Sequence, residues 1–237
     1  MIVKRWMRSI RKRFRYLTDA PVITLDGVRI ISDKNRIPED LRNLLYREVY
    51  EHSERTLLLR VLKPGMRTLE IGTGIGFISM LANKLSGQGN VRSYEANGTL
   101  EKIIRENFAL NGIVPDLRMK AVTTDGQPVT FFRNENIVSS SLYDRKLDAE
   151  KIVVESDAFN SIISEFNPDV LIMDVEGAEV ELFATGNLGN IRHIVVELHP
   201  HIVGEEKVAG VVAKLQTSGF RVREQDRHTF YFERAEH

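Results

Sequence analysis

The stretch Leu69-Glu70-Ile71-Gly72-Thr73-Gly74-Ile75-Gly76-Phe77-Ile78 most narrowly limits what this chain can fold into. An apolar run, Thr68 to Ile71, enters a glycine-rich corner, and Phe77, Ile78, Leu81 and Leu85 leave it at helical spacing. The pattern predicts a buried strand, a tight turn and a helix start, the first βα unit of a nucleotide-binding α/β domain. Glycines let the backbone pass close to a ligand, and a helix start offers unpaired N–H donors. Gly72, Gly74 and Gly76 follow Gly-x-Gly-x-Gly, and Phe77 stands where a dinucleotide fingerprint needs its last glycine. Glu70 closes the strand; its carboxylate would repel a pyrophosphate but suits the ammonium of a bound amino acid. The expected ligand is therefore S-adenosylmethionine.

The rest of the chain reads as one α/β domain with an appendage. At 237 residues, 42% of them hydrophobic, it can bury a sizeable core. It has no cysteine, which fits a reducing compartment, and no run of about 20 apolar residues that could span a membrane. No signal-peptide pattern follows the basic start, so the expected location is cytoplasmic. Zero formal net charge weighs against a nucleic-acid partner.

Three segments are expected. Residues 1–19 carry seven cations, Lys4, Arg5, Arg8, Arg11, Lys12, Arg13 and Arg15, against Asp19. Val3, Trp6, Met7, Ile10, Phe14 and Leu17 recur at helical spacing. Such a basic amphipathic helix can lie on the anionic inner face of a membrane, or dock one stripe on the core. Residues 20–65 form a cover: a hairpin over 21–32 turning at Asp26-Gly27, then helical runs from Pro38 and from Thr56 to Leu62. Tyr50 and Glu51 lie between these runs, within reach of the ligand. Residues 66–237 form the main domain.

Alternating strands and helices predict a doubly wound, mostly parallel seven-stranded sheet with an antiparallel last strand. Val91 to Tyr94 is its second strand, and Glu95 at its end is placed to accept hydrogen bonds from two ribose hydroxyls, with Ala96 and Asn97 beside it. Leu117 to Val122 is a third strand, whose end at Ala121-Val122 would meet an adenine ring. Pro128 to Phe132 and Ile152 to Glu155 flank an insertion containing Ser140 and Ser141, whose hydroxyls can hold a sugar or turn the chain. Asp157 is expected to cap a helix over Ala158 to Phe166. Val170 to Met173 and Ile194 to Val196 read as parallel strands buried on both faces. They end in Asp174-Val175-Glu176-Gly177-Ala178-Glu179 and in Glu197-Leu198-His199.

With Tyr50-Glu51 ahead of Lys63-Pro64-Gly65, the Glu70–Gly76 motif, Glu95 with Asn97, Asn107 to Gly112, Ser140-Ser141-Leu142, the Asp174–Glu179 block and Glu197 with His199, the chain resembles the FkbM family of S-adenosylmethionine-dependent methyltransferases. The resemblance runs over roughly residues 25–232. It implies a class I methyltransferase fold, a cofactor held by Glu70, Gly72, Glu95 and Ala121-Val122, and methyl transfer to oxygen, often on sugars or natural products. The family's lysine ahead of the Asp-Val-Glu block is Ile172 here.

Methylating an alcohol needs a base to take its proton late in the displacement. In an open α/β sheet the acceptor lies beyond the carboxyl ends of the strands, where Asp174, Glu176, Glu197 and His199 gather. His199 is the expected base, since its ordinary pKa is about 6.5. Asp174 and Glu176 would orient it or the acceptor hydroxyl, and Glu197 would face the acceptor. The same four groups could instead hold a divalent cation that acidifies the hydroxyl. A cofactor-binding subunit without catalysis is the alternative of a different class. The expected partner is a small-molecule or glycan acceptor.

Overall fold

The computed structural model describes residues 2–133 and 150–235. Helix α1 (Ile2–Thr18) leads into a hairpin of β1 (Val22–Leu25) and β2 (Val28–Ile31). Asp26 and Gly27 both have positive φ, 48° and 78°, as a two-residue hairpin turn requires. Helices α2 (Glu39–Tyr46) and α3 (His52–Val61) complete the cover; α3 starts four residues before the expected Thr56.

The main domain runs β3 (Thr68–Ile71), α4 (Phe77–Ser86), β4 (Val91–Tyr94), α5 (Glu101–Leu110), β5 (Asp116–Arg118) and β6 (Ala121–Thr123). Then come β7 (Val129–Arg133), β8 (Glu150–Val154), β9 (Ser156–Ala158), α6 (Phe159–Phe166), β10 (Val170–Met173) and α7 (Glu179–Thr185). The chain closes with β11 (His193–Glu197), α8 (Pro200–Val203), α9 (Glu205–Thr217), β12 (Phe220–Asp226) and β13 (Thr229–Arg234). Seven strands form one sheet in the order β12-β13-β11-β10-β3-β4-β5. The pairs from β11 to β5 are parallel, and β13 runs antiparallel to both β11 and β12. The expected doubly wound sheet is the observed one.

Strand alternation sets the two cores. Leu69, Ile71, Leu171 and Met173 point to the face covered by Phe159, Ile162, Phe183 and Leu215. Val170 and Ile172 point the other way, into a core with Phe77, Leu81, Ile104, Phe108 and the cover residues Leu41, Leu45 and Leu58. Glu70 must therefore face α4 rather than the first core. The chain leaves β3 toward β4 and β5 but returns to β10 on the other side of β3. That reversal opens a crevice at the carboxyl ends of β3 and β10, the usual ligand position in such sheets.

Two expectations need correction. Leu117 to Val122 is not one strand: β5 belongs to the main sheet, whereas β6 leaves it to pair in parallel with β9. Asp157 does not cap α6, whose N-cap is Ala158. Its carboxylate instead accepts from Tyr94 Oη at 3.0 Å and Lys120 Nζ at 2.8 Å. The strands expected to flank the insertion are β7 and β8, which pair with each other antiparallel, and Ser140 and Ser141 lie outside the described residues.

A cofactor cleft and the acidic cluster beside it

A cleft of about 880 Å³, open mouth included, occupies the crevice. Tyr50 and Glu51 of the cover line it from above, and Gly72, Gly74 and Ile75 form its glycine wall. Glu95, Ala96 and Asn97 line it beyond β4, Ala121 and Val122 at β6, and Asp174 and Glu176 beyond β10. The structure thus brings ten of the expected site residues to one cavity: Tyr50, Gly72, Gly74, Glu95, Ala96, Asn97, Ala121, Val122, Asp174 and Glu176. Lys120, absent from the expected set, joins them; lying between two short strands, β5 and β6, it carries no sequence signal of its own.

The glycine wall is shaped by close approach. Gly72 has φ +91°, and a Cβ there would lie 1.8 Å from the carbonyl oxygen of Asp174. The ends of β3 and β10 can meet only because position 72 has no side chain. Gly74, at φ +55°, leaves room for the Tyr50 hydroxyl, which a Cβ would meet at 3.1 Å. Gly76 does not line the cleft: it faces Ile104 and Phe108, 3.3 and 3.5 Å from where its Cβ would stand.

Glu70 does not reach the cleft either. It is 1% exposed beneath the turn, where its carboxylate accepts from Thr73 Oγ1 at 2.8 Å and from Ser79 Oγ. Burial outweighs these hydrogen bonds and lifts its pKa to about 7. Its expected contact with the ligand's ammonium is replaced by a buttress under the glycines. Glu95 grips the same turn from the cleft side. Its Oε2 accepts the Thr73 and Gly74 N–H groups at 3.1 and 2.9 Å, and its Oε1 accepts the Asn97 N–H at 2.8 Å. Burial raises the Glu95 pKa, opposed by those backbone donors. The amide donors expected to face a ligand are thus already engaged by a carboxylate. Asn97 Oδ1 in turn accepts the Thr99 N–H at 3.1 Å, fixing the short helical turn that follows.

Beside the cleft, acidic groups surround one imidazole. His199 Nδ1 lies 2.9 Å from Glu179 Oε1; its Nε2 lies 3.4 Å from Asp174 Oδ1 and 3.8 Å from Glu176 Oε2. Burial alone would lower the His199 pKa, but the hydrogen bond to Glu179 and the charges of Asp174 and Glu176 carry it up to about 9. Loss of water, then the charge of Glu197, pushes the Asp174 carboxyl well above its ordinary range, against the pull of His199. Glu197 rises to about 6, through burial and then Glu54. Asp174 belongs to both places: it lines the cleft, yet its Oδ1 is buried toward His199 and has no hydrogen-bond partner.

This geometry departs from the expected role of His199. The ring is 5% exposed and does not line the cleft, and at neutral pH it carries its proton. An imidazolium cannot accept the proton of an alcohol. One ligating atom from each of Asp174, Glu197 and His199 lies within 4.8 Å of the others. A metal there would require His199 to give up that proton.

A family model described as the methyltransferase FkbM domain matches residues 70–223. Ribosomal protein L11 methyltransferase of Caldicellulosiruptor saccharolyticus is 26% identical over 114 residues, 47% of this chain and 37% of that protein. The chain thus matches well under half the length of that curated relative. Among solved structures, the Pyrococcus abyssi tRNA (uracil-54, C5)-methyltransferase in complex with S-adenosyl-L-homocysteine aligns at 16% identity and TM-score 0.50. That alignment covers 90% of this chain and 44% of that one. The ribosomal protein L11 methylase of Lactobacillus delbrueckii subsp. bulgaricus aligns at 14% identity and TM-score 0.46, over 79% of this chain and 80% of that one. The reversed strand order, the glycine wall beneath a strand-end acid and a family match over most of the chain lead to one conclusion: this chain belongs to the FkbM family of S-adenosylmethionine-dependent methyltransferases.

Proposed function

We propose that this chain methylates a hydroxyl oxygen of a sugar, glycan, glycolipid or related natural product, with Asp174 as the proton acceptor. The residues present suit the cofactor. Glu51 and Glu95 give the cleft the carboxyl acceptors that an ammonium calls for, and Gly72 and Gly74 present backbone rather than side chain to a ligand. Glu95 keeps lone pairs for ribose hydroxyls, and Ala121 and Val122 offer an apolar edge and backbone groups to a base. S-adenosylmethionine, when bound, supplies an electrophilic methyl group.

The observation that carries the proposal is the position of Asp174 between the cleft and His199. A carboxylate held above its ordinary pKa is a stronger base, and this one faces the space an acceptor would enter. His199, fixed by Glu179, positions Asp174 and offsets its charge. Glu176 stands at the same wall and can accept from a neighbouring hydroxyl of a polyol. The relatives named above act, by name, on a ribosomal protein and a tRNA. Here the acids at the cleft, against Lys120 already paired with Asp157, disfavour a phosphate-rich acceptor.

The test is transfer from methyl-labelled S-adenosylmethionine to a panel of monosaccharides, polyols and lipid-linked glycans, with the product's methyl located by mass spectrometry. An O-methyl product lost in Asp174→Asn supports the proposal; methyl on nitrogen or carbon overturns it. Cofactor binding without turnover on any acceptor would favour the non-catalytic reading. The 4.8 Å spacing of Asp174, Glu197 and His199 keeps one further reading in play. Activity lost to a chelator and restored by a divalent cation would favour metal-assisted transfer.

A further inference from the structure

Helix α1 is docked through three of its arginines. Arg8 donates to the backbone carbonyls of Arg47 and Glu48, the first at 2.8 Å through Nε. Arg11 pairs with the Glu48 carboxylate through two bonds, of 2.9 and 3.0 Å. Arg15, 7% exposed, lies 3.0 Å from Glu48 and donates to the Tyr46 carbonyl at 3.1 Å. These three arginines share one face of the helix. The opposite face carries Trp6, Ile10, Phe14 and Leu17, which are 66%, 46%, 63% and 86% exposed. Of the two alternatives for this helix, the docked stripe is made of arginines, and the apolar stripe faces solvent.

A soluble surface does not ordinarily leave four large apolar side chains in one exposed row. Arg13 is exposed beside the row, Lys12 is exposed on another side of the helix over the Tyr16 ring, and α1 contains no acidic residue. Three arginines are engaged in docking, and the helix still carries further cations with no acid to offset them. An exposed apolar row on a helix of positive net charge fits the boundary between acyl chains and anionic headgroups. Among the described residues no helix is long and apolar enough to cross a membrane, so α1 would lie in the surface plane.

We propose that α1 is a peripheral anchor for an anionic lipid bilayer, entered by Trp6, Ile10, Phe14 and Leu17, with Arg13 beside them on the headgroups and Lys12 adding to the positive charge of the helix. The anchor is braced on Arg47 and Glu48, which lead directly into the cleft residues Tyr50 and Glu51. Docking would thus hold the roof of the cleft near the lipid surface, whatever the acceptor proves to be.

Trp6 is the one tryptophan of the chain, so tryptophan emission reports on α1 alone. The full chain is titrated with vesicles of phosphatidylcholine and with vesicles containing phosphatidylglycerol. The expected result is a blue shift and co-sedimentation with the anionic vesicles, with binding roughly tenfold or more weaker to neutral ones. Trp6→Ser/Phe14→Ser/Leu17→Ser should lose co-sedimentation while binding the cofactor as wild type does, because those side chains bear on solvent. Lys12→Glu/Arg13→Glu should lose the preference for anionic lipid with the apolar row intact. No binding to anionic vesicles overturns the proposal. So does emission already blue-shifted without lipid together with a dimer in sedimentation velocity, which would make a second copy the partner of this face.

Discussion

The carboxylate of Glu95 accepts the backbone N–H of Gly74 at 2.9 Å, joining the end of β4 to the turn after β3. Two features that look independent in the sequence, an acid and a glycine, are one unit in the fold. Removing the acid should therefore have two effects. Glu95→Ala leaves the Thr73, Gly74 and Asn97 donors without their acceptor, at a cost of about 1–3 kcal/mol in stability. It should also weaken cofactor binding by roughly tenfold or more through the lost ribose contact. Denaturant unfolding and calorimetry read the two separately. Lost stability with unchanged affinity would reduce Glu95 to a turn clamp.

Gly72 and Gly74 should respond differently to alanine. At position 72 the new methyl would meet the Asp174 carbonyl oxygen at 1.8 Å, and backbone cannot step aside cheaply. Gly72→Ala should destabilise by more than about 3 kcal/mol or fail to fold. At position 74 the methyl meets the Tyr50 hydroxyl at 3.1 Å, on a side chain that can shift. Gly74→Ala should fold and lose cofactor affinity instead. Equal stability losses in the two variants, measured by urea unfolding, would contradict the close approach of β3 and β10.

The sheet was readable because strands buried on both faces are written as unbroken apolar runs, as in Val170-Leu171-Ile172-Met173. The cleft was readable where backbone conformation demands a residue type, as at Gly72 and Gly74. What could not be read were the partners of polar groups. Glu70 stands at the right place for a ligand, but strand alternation turns it toward Ser79 on α4, a meeting made only in three dimensions. The protonation of His199 depends on carboxylates drawn from the end of β10 and from α7, an element the periodicity did not suggest. The direction of α1 was hidden for the same reason, since its arginines find Glu48 only after the cover has folded.

Stability should fall as pH rises. Folding lifts Glu70 from 4.5 to about 7, so the folded chain holds that proton more tightly than the unfolded one. Stability from this group is greatest below pH 4.5, declines up to pH 7 and is flat beyond, a loss of roughly 3 kcal/mol at most. His199, raised from 6.5 to about 9, contributes stability that is complete below 6.5 and lost as pH climbs through 9. The two slopes share a sign, so urea midpoints should be higher at pH 5.5 than at pH 9.5. Glu70→Gln should make the acid limb shallower and leave the alkaline decline in place. A midpoint that rises with pH would show that neither group is placed as described.

Asp174 and His199 can be separated by kinetics. If Asp174 takes the acceptor's proton, Asp174→Asn should bind the cofactor nearly as wild type does and lower kcat by ~10²–10⁴. His199→Gln should lower stability by about 3–5 kcal/mol, because it leaves Asp174, Glu176 and Glu179 without their shared cation. It should nonetheless retain measurable turnover. The pH profile discriminates further. In the wild type, kcat should rise with pH through a group held above the ordinary carboxylate range and then level off. His199 lowers the Asp174 pKa by its charge, so its removal should shift that rising limb to higher pH without abolishing it. Were the imidazole itself the base, the variant would lose both limb and turnover, and the role given to Asp174 would fall.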